Sequence, residues 1–352
     1  MSKKLWTDPD FKDQMIALDT DQKSGAELFL NTVITTLFPQ EHFVQTENGN
    51  RFTYDKLLLT TGSSPRTIPG PKSDRAIAFR SWEDYRKLRK ISGNGQHILV
   101  VGGGYLGNEL AAALIQNKTK VTLVTPDSVL EQKRFPAQLA QEYEQLFSEQ
   151  GVEIRHQARA LSYEIHDGTV TLNLSTGDEL QGDGVVIGIG AELNLEAAKV
   201  AGLRIDDYGL VVNQQLQTSD PNIWAAGDII SYNDKIMGQH QAGHVDHATA
   251  TGYTAGQSMA GKSIDYDHTP YFYSRVLGIS WQAIGQTKAS LETLMQKLPK
   301  GKIIYYFQND HLSGVLLWNI TLDLDFVRSL LQKAPEKQVI EQLISAAPVQ
   351  SK

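Results

Sequence analysis

The stretch 97–125 reads HILVVGGGYLGNELAAALIQNKTKVTLVT. An apolar run ends in a glycine-rich turn, an Ala- and Leu-rich segment of helical character follows, and a β-branched run closes the unit. The turn has the spacing GxGxxG at Gly102, Gly104 and Gly107, with Gly103 inside it. This spacing is typical of a dinucleotide site. The first glycine allows a tight turn, the second lets a pyrophosphate approach the backbone, and the third lets helix and strand pack closely.

The same spacing also occurs in turns that only connect a strand to a helix, and such a structural turn is the alternative. Two features favour nucleotide binding, because this turn follows a strand and opens a helix. The N-terminus of that helix presents unpaired N–H groups and a positive partial charge, which suit phosphate groups. The sequence therefore predicts a dinucleotide site at this turn.

Length and composition narrow the class of protein. A chain of 352 residues is too long for one ordinary core and predicts two or three domains. The formal net charge of −7 argues against a nucleic-acid-binding surface. No apolar run approaches the roughly 20 residues that span a bilayer, and the N-terminal residues form no apolar signal segment. We therefore expect a cytoplasmic protein with no transmembrane segment and no nucleic-acid partner.

The sequence contains no cysteine. This excludes a disulfide framework, a thiolate nucleophile, an iron–sulfur cluster held by the chain's own cysteines, and a dithiol redox pair. Any redox chemistry must therefore be carried by a bound cofactor.

Turn residues and hydrophobic patterns predict the elements around the glycine turn. ENGN at 47–50 predicts a hairpin, Ser81 is expected to cap a helix, and Gly151 is expected to end a helix over 136–150. Further predicted elements are buried strands over 55–61, 185–190 and 222–228, a long helix over 238–260, strands in KIIYYF and GVLLWNI, and a C-terminal helical region over 323–346.

Three motifs stand in a fixed order along the chain: LLLTTGSSPR, GGGYLGNE and NIWAAGD. In this order they resemble the flavoprotein reductases with two dinucleotide-binding domains, which hold FAD and a nicotinamide nucleotide. SKKLW near the start, the HVDHA segment and the VLLWNI strand make the chain look most like the branch of apoptosis-inducing factors and ferredoxin reductases. The resemblance covers essentially the whole chain.

This resemblance implies an α/β fold with two Rossmann-like domains and a C-terminal α+β domain. Residues 1–71 and 196–264 would form the FAD-binding domain. Residues 72–195 would form the NAD(H)-binding domain, and residues 265–352 a C-terminal interface domain.

The resemblance also assigns residues to the FAD site. It implies that Thr61, Gly62 and Gly227 line the cofactor, that Arg66 reaches it, and that Asp228 accepts a hydrogen bond from its ribityl chain. A carboxylate at a strand end can accept such a hydroxyl. The alternative for Asp228 is a helix N-cap after a strand.

Three residues are implied to act near the reacting rings: Lys3, Glu109 and His244. In the resembled proteins a glutamate at the position of Glu109 lies near the nicotinamide and pairs with a lysine beside the flavin, which Lys3 matches. Such a lysine would stabilise negative charge that develops on the flavin during reduction. His244 is implied to lie against the isoalloxazine or the nicotinamide. The alternative for Glu109 is an acidic residue that the N-terminus of a helix favours in its first turn. The alternative for Lys3 is a solvated lysine near the chain terminus, and that for His244 is a packed structural histidine.

The nicotinamide nucleotide is implied to contact further residues. Leu106 and Gly190 are expected to contact the nucleotide together with the glycine turn. Asp127 matches an acidic position that would bind the adenosine ribose. Because no arginine follows Asp127 immediately to bind a 2′-phosphate, NAD is favoured over NADP. Tyr273 stands where the resembled proteins tend to have a tryptophan, and Gln282 matches a glutamate near the nicotinamide amide.

Three histidines, His240, His244 and His247, would share one face of the predicted helix over 238–260. A metal site is one interpretation of this spacing. No wider ligand set is evident, so we predict no metal, and His247 is expected to be structural.

The resembled family opens with its own strand–GxGxxG–helix unit, which binds the FAD pyrophosphate. Before Arg66 this chain has only Gly25, Gly49 and Gly62, which form no such motif. The first strand of a doubly wound sheet lies near its middle, so its loss would expose apolar strands such as DKLLLTT and NIWAA. We hypothesise that the chain is N-terminally incomplete or that another chain supplies this unit, and we expect FAD retention to depend on it.

The sequence thus predicts an FAD-dependent NADH oxidoreductase that passes hydride from NADH to flavin and electrons onward to a quinone, oxygen or a small redox protein. The alternative is a non-catalytic, NADH-responsive interaction protein that has lost flavin binding. A nicotinamide dehydrogenase without flavin is a third interpretation. A homodimer is compatible with the sequence.

Overall fold

The computed structural model describes Trp6 and residues 24–346. Its strands are β1 (Ile34–Phe38), β2 (Phe43–Thr46), β3 (Arg51–Thr53), β4 (Leu57–Leu59), β5 (Ser63–Pro65), β6 (Ala76–Ala78), β7 (His97–Val101), β8 (Lys120–Val124), β9 (Glu153–Arg155), β10 (Ala160–His166), β11 (Thr169–Leu174), β12 (Glu179–Gly182), β13 (Gly184–Ile187), β14 (Ala191–Leu193), β15 (Ile205–Asp206), β16 (Gly209–Val211), β17 (Ile223–Ala225), β18 (Ile230–Asp234), β19 (Gly238–His240), β20 (Tyr271–Val276), β21 (Ile279–Gly285), β22 (Glu292–Leu298), β23 (Gly301–Gln308) and β24 (His311–Trp318). Its helices are α1 (Trp82–Lys90), α2 (Tyr105–Gln116), α3 (Ala137–Glu149), α4 (Glu196–Val200), α5 (Val245–Met259), α6 (Leu324–Lys333) and α7 (Lys337–Ala346).

A parallel sheet in the order β6-β13-β7-β8-β9 carries the glycine turn at the end of β7. Side chains of β7 alternate between its two faces. Ile98 and Val100 pack into the core that the helices cover, whereas Leu99 and Val101 pack against the sheet of β10, β11 and β12. Both faces are therefore covered, as parallel sheets require, and β7 reads as an uninterrupted apolar run.

The helices around this sheet begin and end where the local sequence predicts. Ser81 caps α1 in a capping box with Asp84, in which each side chain binds the other residue's backbone N–H. The helix predicted over 136–150 is confirmed as α3, and Gly151 follows it in the left-handed region with φ +90°. The hairpin predicted at 47–50 is also confirmed, because β2 and β3 pair in antiparallel register around Gly49.

A second parallel pairing joins β4 to β17, which are distant in sequence. The predicted strand 55–61 is shorter than expected, and its residues Leu57–Leu59 are half-buried rather than buried. The expected exposure of NIWAA is wrong, since Ile223 and Ala225 are fully buried. The physical reason is cover from α5 and from the segment around Leu216, whose side chains share one core with β17.

The long helix predicted over 238–260 is wrong in its first third. Residues 238–240 form β19, which pairs with β18 in the register Tyr232↔His240, and α5 begins only after His244. Backbone pairing to a neighbouring strand overrides the local helical pattern here. The three histidines therefore do not share a helical face, and in the described part of the chain no group of His, Cys, Asp or Glu side chains could hold a metal ion.

The C-terminal region forms an antiparallel sheet in the order β20-β21-β24-β23-β22. The predicted strands KIIYYF and GVLLWNI are confirmed as β23 and β24. The predicted helical region is two helices rather than one. It breaks at Ala334, where φ is +42°, and at Pro335, whose ring disfavours a helical conformation for the residue before it.

A cluster of buried rings joins the glycine-turn sheet to this C-terminal sheet. Phe135, just before α3, is fully buried and lies edge-on to Trp281, Trp318 and Tyr143 at centroid distances of 5.4, 5.5 and 5.5 Å. Edge-to-face pairs of this kind add stability beyond their buried area. Between residues 24 and 346, no helix has the length and apolar character that a membrane crossing requires.

Replacement of Phe135 by alanine should lower the free energy of unfolding by about 3–5 kcal/mol, because it leaves a cavity among the surrounding rings. Phe326 on α6, which is 61% exposed, provides the matched control. Phe326→Ala should change the free energy by less than about 0.5 kcal/mol. Urea unfolding measures both variants. Equal losses would show that the ring cluster does not hold the two sheets together.

Candidate functional site

The glycine turn brings backbone groups closer than side chains would permit. A Cβ on Gly102, whose φ is +111°, would lie 2.4 Å from the carbonyl oxygen of Gly188. A Cβ on Gly107 would lie 1.7 Å from the carbonyl oxygen of Gly102. Helix α2 therefore begins directly against the end of β7. Gly103 is enclosed as well, because its Cβ would meet the hydroxyl oxygen of Thr125 at 2.5 Å.

Gly104 differs from its neighbours because it faces open space. It is the exposed N-cap of α2, and no described atom lies within 4 Å of its ideal Cβ position. The first N–H groups of an α-helix have no carbonyl partner one turn back, so they are available to a ligand there. Leu106, 37% exposed, flanks this space. Gly190, with φ +100°, follows the neighbouring strand β13.

Glu109 lies in the second turn of α2 and faces the C-terminal sheet. Its carboxylate accepts a hydrogen bond from the Ser274 hydroxyl at 2.7 Å, and Ser274 is buried on β20. His244, the N-cap of α5, lies beside the same strand, with ring centroids 5.2 Å from both Phe272 and Tyr273. Burial lowers the pKa of His244, while the Asp246 and Glu109 carboxylates raise it. Two of the three predicted catalytic residues therefore converge, and Lys3 lies outside the described residues.

Asp228 joins the other two sequence motifs. Its Oδ2 accepts hydrogen bonds from the Ser63 hydroxyl at 2.6 Å and from the Arg80 guanidinium at 2.9 Å. Gly227 precedes it with φ +78°, and the ideal Cβ of Gly243 lies 3.8 Å from the Asp228 side chain. Ser63 of the LLLTTGSSPR motif, Asp228 of the NIWAAGD motif and Gly243, the residue before His244, therefore meet at one carboxylate.

Thr61 and Gly62 directly precede β5, and Arg66 directly follows it. Thr61 exchanges two hydrogen bonds with Asn194, and Gly62 has φ +64° with open space at its Cβ position among the described atoms. The Arg66 guanidinium lies 3.5 Å from the Glu192 carboxylate. Both side chains are largely exposed, so this pair contributes little to stability. A contact of Arg66 with a cofactor stays a prediction.

Asp127 lies at the same edge of the glycine-turn sheet as the turn itself, because it follows β8, the parallel neighbour of β7. Its carboxylate pairs with the Lys133 ammonium at 2.8 Å and accepts a hydrogen bond from Gln132 at 3.3 Å. Sequence reasoning considered only the residue immediately after Asp127 and missed this lysine six positions on. The preference for NAD over NADP stays a prediction.

Tyr273 and Gln282 are cross-strand partners on β20 and β21. Tyr273 is 45% exposed beside His244. The Oε1 of Gln282 is buried and has no hydrogen-bond partner among the described atoms. Their positions are compatible with the predicted contacts to the rings.

His247 fits the structural interpretation. It is fully buried, stacks on Tyr232 at 4.8 Å and lies 3.0 Å from the Tyr266 hydroxyl through its Nδ1. Burial lowers its pKa to about 4.

Sequence reasoning missed four residues that the structure brings to the site: Ser63, Arg80, Asn108 and Ser274. Asn108 carried a detectable signal, because it is a polar residue on the apolar face of α2 that Ala111 and Ala112 continue. Ser63 directly follows the TTG segment. Arg80 and Ser274 bind partners 148 and 165 residues away, so no local pattern marks them.

These residues fit a dinucleotide at the turn and a flavin-bearing group at Asp228. At the turn, the close contacts of Gly102 and Gly107 place the helix N-terminus against open space at Gly104. At Asp228, the Ser63 hydroxyl orients the carboxylate. Nearby, Gly62 leaves open space at its Cβ position among the described atoms. The described residues contain no second GxGxxG turn for the FAD pyrophosphate.

A family model described as pyridine nucleotide-disulphide oxidoreductase matches residues 1–252. The chain belongs to this family. Its members are oxidoreductases that bind FAD and NAD(H). The family and cofactor classes predicted from the sequence are thereby confirmed.

Curated relatives in the family have several activities. Apoptosis-inducing factor 1, mitochondrial, of Dictyostelium discoideum is 30% identical over 94% of this chain and 68% of its own length. The 3-phenylpropionate/cinnamic acid dioxygenase ferredoxin–NAD(+) reductase component of Photorhabdus laumondii is 29% identical over 87% of this chain and 78% of its own. Peroxisomal monodehydroascorbate reductase 1 of Oryza sativa subsp. japonica is 32% identical over 78% of this chain and 60% of its own length.

Solved structures share the fold. Putidaredoxin reductase in its covalent complex with putidaredoxin superposes with a TM-score of 0.86 at 23% identity, over 99% of this chain and 89% of that chain. The water-forming NADH oxidase of Lactobacillus brevis gives a TM-score of 0.85 at 19% identity, over 99% of this chain and 84% of that chain. These likenesses confirm the predicted α/β fold class.

Alanine at two positions of the turn should separate structure from binding. Gly107→Ala places a methyl group against the Gly102 carbonyl and should destabilise the fold, because backbone on both sides must move. Gly104→Ala places its methyl group in open space, so it should leave the melting temperature unchanged and weaken NADH binding. Thermal unfolding and NADH fluorescence titration measure the two effects. Full NADH affinity in Gly104→Ala would show that the open space is not the binding cradle.

Acidification should destabilise the protein through His247. The unfolded chain binds this proton near pH 6.5, whereas folded His247 binds it only at about pH 4. The unfolded state therefore holds more protons between these values, and stability should fall by about 3 kcal/mol as pH drops through that window. His247→Phe should flatten this pH dependence in urea unfolding, and His166→Gln on the exposed hairpin is the control. An unchanged slope in His247→Phe would assign the effect elsewhere.

Proposed function

We propose that the protein is an FAD-dependent NADH oxidoreductase in which the Gly102–Gly107 turn holds NADH. The convergence of Glu109, Ser274 and His244 beside that turn carries the proposal. A structural glycine turn would not need a carboxylate and a half-buried imidazole from separate segments beside one strand, β20. The convergence of these side chains therefore favours a catalytic site at the N-terminal end of α2 over a purely structural turn.

Each residue has a role that follows from its position. The first N–H groups of α2 bind the pyrophosphate, and Asp127 binds the adenosine ribose. Glu109, held by Ser274, orients the nicotinamide. Burial lowers the pKa of His244, and its imidazole would pack against the rings of the cofactors.

The other motifs hold the flavin. Asp228 binds ribityl hydroxyls, and Thr61, Gly62 and Gly227 let the cofactor approach the backbone. Bound flavin supplies a two-electron acceptor for the hydride of NADH. By the resemblance to the flavoprotein reductases, Lys3 would supply a positive charge beside the flavin.

Electrons would then pass to a quinone, oxygen or a small redox protein. The names of relatives support this range, since they include a ferredoxin–NAD(+) reductase component and a monodehydroascorbate reductase.

The domain division, location and assembly belong to the same proposal. Residues 1–71 and 196–264 hold FAD, residues 72–195 hold NADH, and residues 265–352 cover the rings. The cytoplasm and a homodimer remain predictions, and some relatives carry mitochondrial or peroxisomal names.

The visible spectrum of the purified protein under anaerobic titration with NADH tests the function. A flavin spectrum that NADH bleaches supports the oxidoreductase. NADH binding without a flavin spectrum would support the NADH-responsive interaction protein instead, and NADH-dependent chemistry without flavin would support a simple dehydrogenase.

Glu109→Gln sharpens this test. It should slow bleaching by NADH about 10- to 100-fold while flavin content stays within about twofold, because the carboxylate contacts the nicotinamide end and not Asp228. Glu149→Gln, at the end of α3, is the matched control. Parallel loss of flavin and of the bleaching rate would contradict the role assigned to Glu109.

A further inference from the structure

The structure assigns to Asn108 a positioning role: its side-chain amide holds the Gly103–Gly104 peptide so that the Gly104 N–H points into the open cradle for a pyrophosphate. This inference rests on the proposed nucleotide site and adds a residue to it. Asn108 does not touch the cradle itself. It lies beneath the turn, 1% exposed, on the inner face of α2.

The amide of Asn108 connects the turn to a loop that returns from β8. Its Nδ2 donates to the Gly103 carbonyl at 3.2 Å and to the Glu131 carboxylate at 3.1 Å. Both partners are acceptors, so the amide nitrogen rather than the oxygen must face them. The remaining Oδ1 is buried and has no hydrogen-bond partner among the described atoms.

Because a peptide group is planar, the contact of Asn108 with the Gly103 carbonyl also fixes the direction of the Gly104 N–H. The Gly103–Gly104 bond is trans, so its carbonyl and its N–H lie in one plane and point in opposite directions within it. Asn108 holds the carbonyl inward. The N–H of Gly104 is therefore directed outward, where the exposed Gly104 leaves open space. A free turn of three glycines would have no such preference, because glycine backbone dihedrals are permissive.

Glu131 supports this arrangement despite two unfavourable features. Its carboxylate is 7% exposed, and its backbone lies in the left-handed region with φ +58°. Burial raises its pKa, and the Arg134 guanidinium and the Asn108 amide oppose that rise. Strain and burial of this kind persist where surrounding structure fixes them, and they concentrate at functional sites. The left-handed backbone and the burial of Glu131 are explained if this residue orients the Asn108 amide.

Arg134 closes the arrangement over the first residue of α2. Its guanidinium lies 4.0 Å above the Tyr105 ring and pairs with Glu131. Its carbonyl accepts a hydrogen bond from the Tyr306 hydroxyl on β23 at 2.9 Å. The loop is therefore anchored to the C-terminal sheet, and it can hold Asn108 rigidly.

Asn108→Asp tests the role with little change in shape. It replaces the donor by an acceptor that repels the Gly103 carbonyl. We expect the dissociation constants of NADH and of ADP-ribose, which both contain a pyrophosphate, to rise about 10- to 100-fold. Reduced nicotinamide mononucleotide lacks the pyrophosphate, so its dissociation constant should stay within about threefold. NADH fluorescence and calorimetry measure these values without reference to turnover.

A control variant and one further pair of variants keep the test decisive. Asn117→Asp makes the same change at the opposite end of α2 and should leave all three ligands unaffected. If Asn108→Asp does not fold, Glu131→Gln and Glu131→Leu replace it. The glutamine keeps an acceptor for Asn108 and should retain NADH affinity within about threefold, whereas the leucine should lose about tenfold.

The outcomes separate this inference from the proposed function. NADH affinity within threefold of the unaltered protein in folded Asn108→Asp would overturn the positioning role alone, as would equal weakening of all three ligands. Failure of the unaltered protein to bind NADH or ADP-ribose would overturn the proposed function, and the role of Asn108 with it.

Discussion

The approach of Gly107 to the carbonyl of Gly102 sets the position of everything around the candidate site. It is a backbone contact that leaves no room for a Cβ, so it fixes both where α2 begins and how far it lies from the sheet. The open helix end at Gly104 and the carboxylate of Glu109 one turn later both take their places from it. A shift of α2 would move the open helix end at Gly104 and the Glu109 carboxylate together.

The C-terminal sheet completes what the glycine turn begins. Ser274 on β20 binds Glu109, and the neighbouring rings Phe272 and Tyr273 contact His244 from α5. Three segments distant in sequence therefore meet beside β20. The ring cluster around Phe135 adjoins this meeting point, because Trp281 is the cross-strand partner of Ser274, so the packing of these rings bears directly on the position of Ser274.

Interactions between near neighbours could be predicted from the sequence, and those between distant segments could not. The glycine spacing, the cap at Ser81 and the turn at Gly49 depend on residues a few positions apart, and the structure confirms their geometry. One local interaction was an exception, because β18 and β19 form a hairpin between near neighbours, and the helix prediction around His240 was wrong there. The partners of Arg80 and Ser274 depend on the tertiary fold alone, which explains why both residues were missed.

The two ends of the site differ in how readily their polar contacts can exchange. At Asp228 the Arg80 side chain is 51% exposed, and such an ion pair contributes little. A ligand hydroxyl can therefore replace the guanidinium while Ser63 keeps the carboxylate oriented. Beneath the glycine turn, Asn108 and Glu131 are buried, and loss of either partner would leave an unsatisfied polar group. Exchangeable contacts suit direct binding, whereas fixed contacts suit orientation of the backbone that binds.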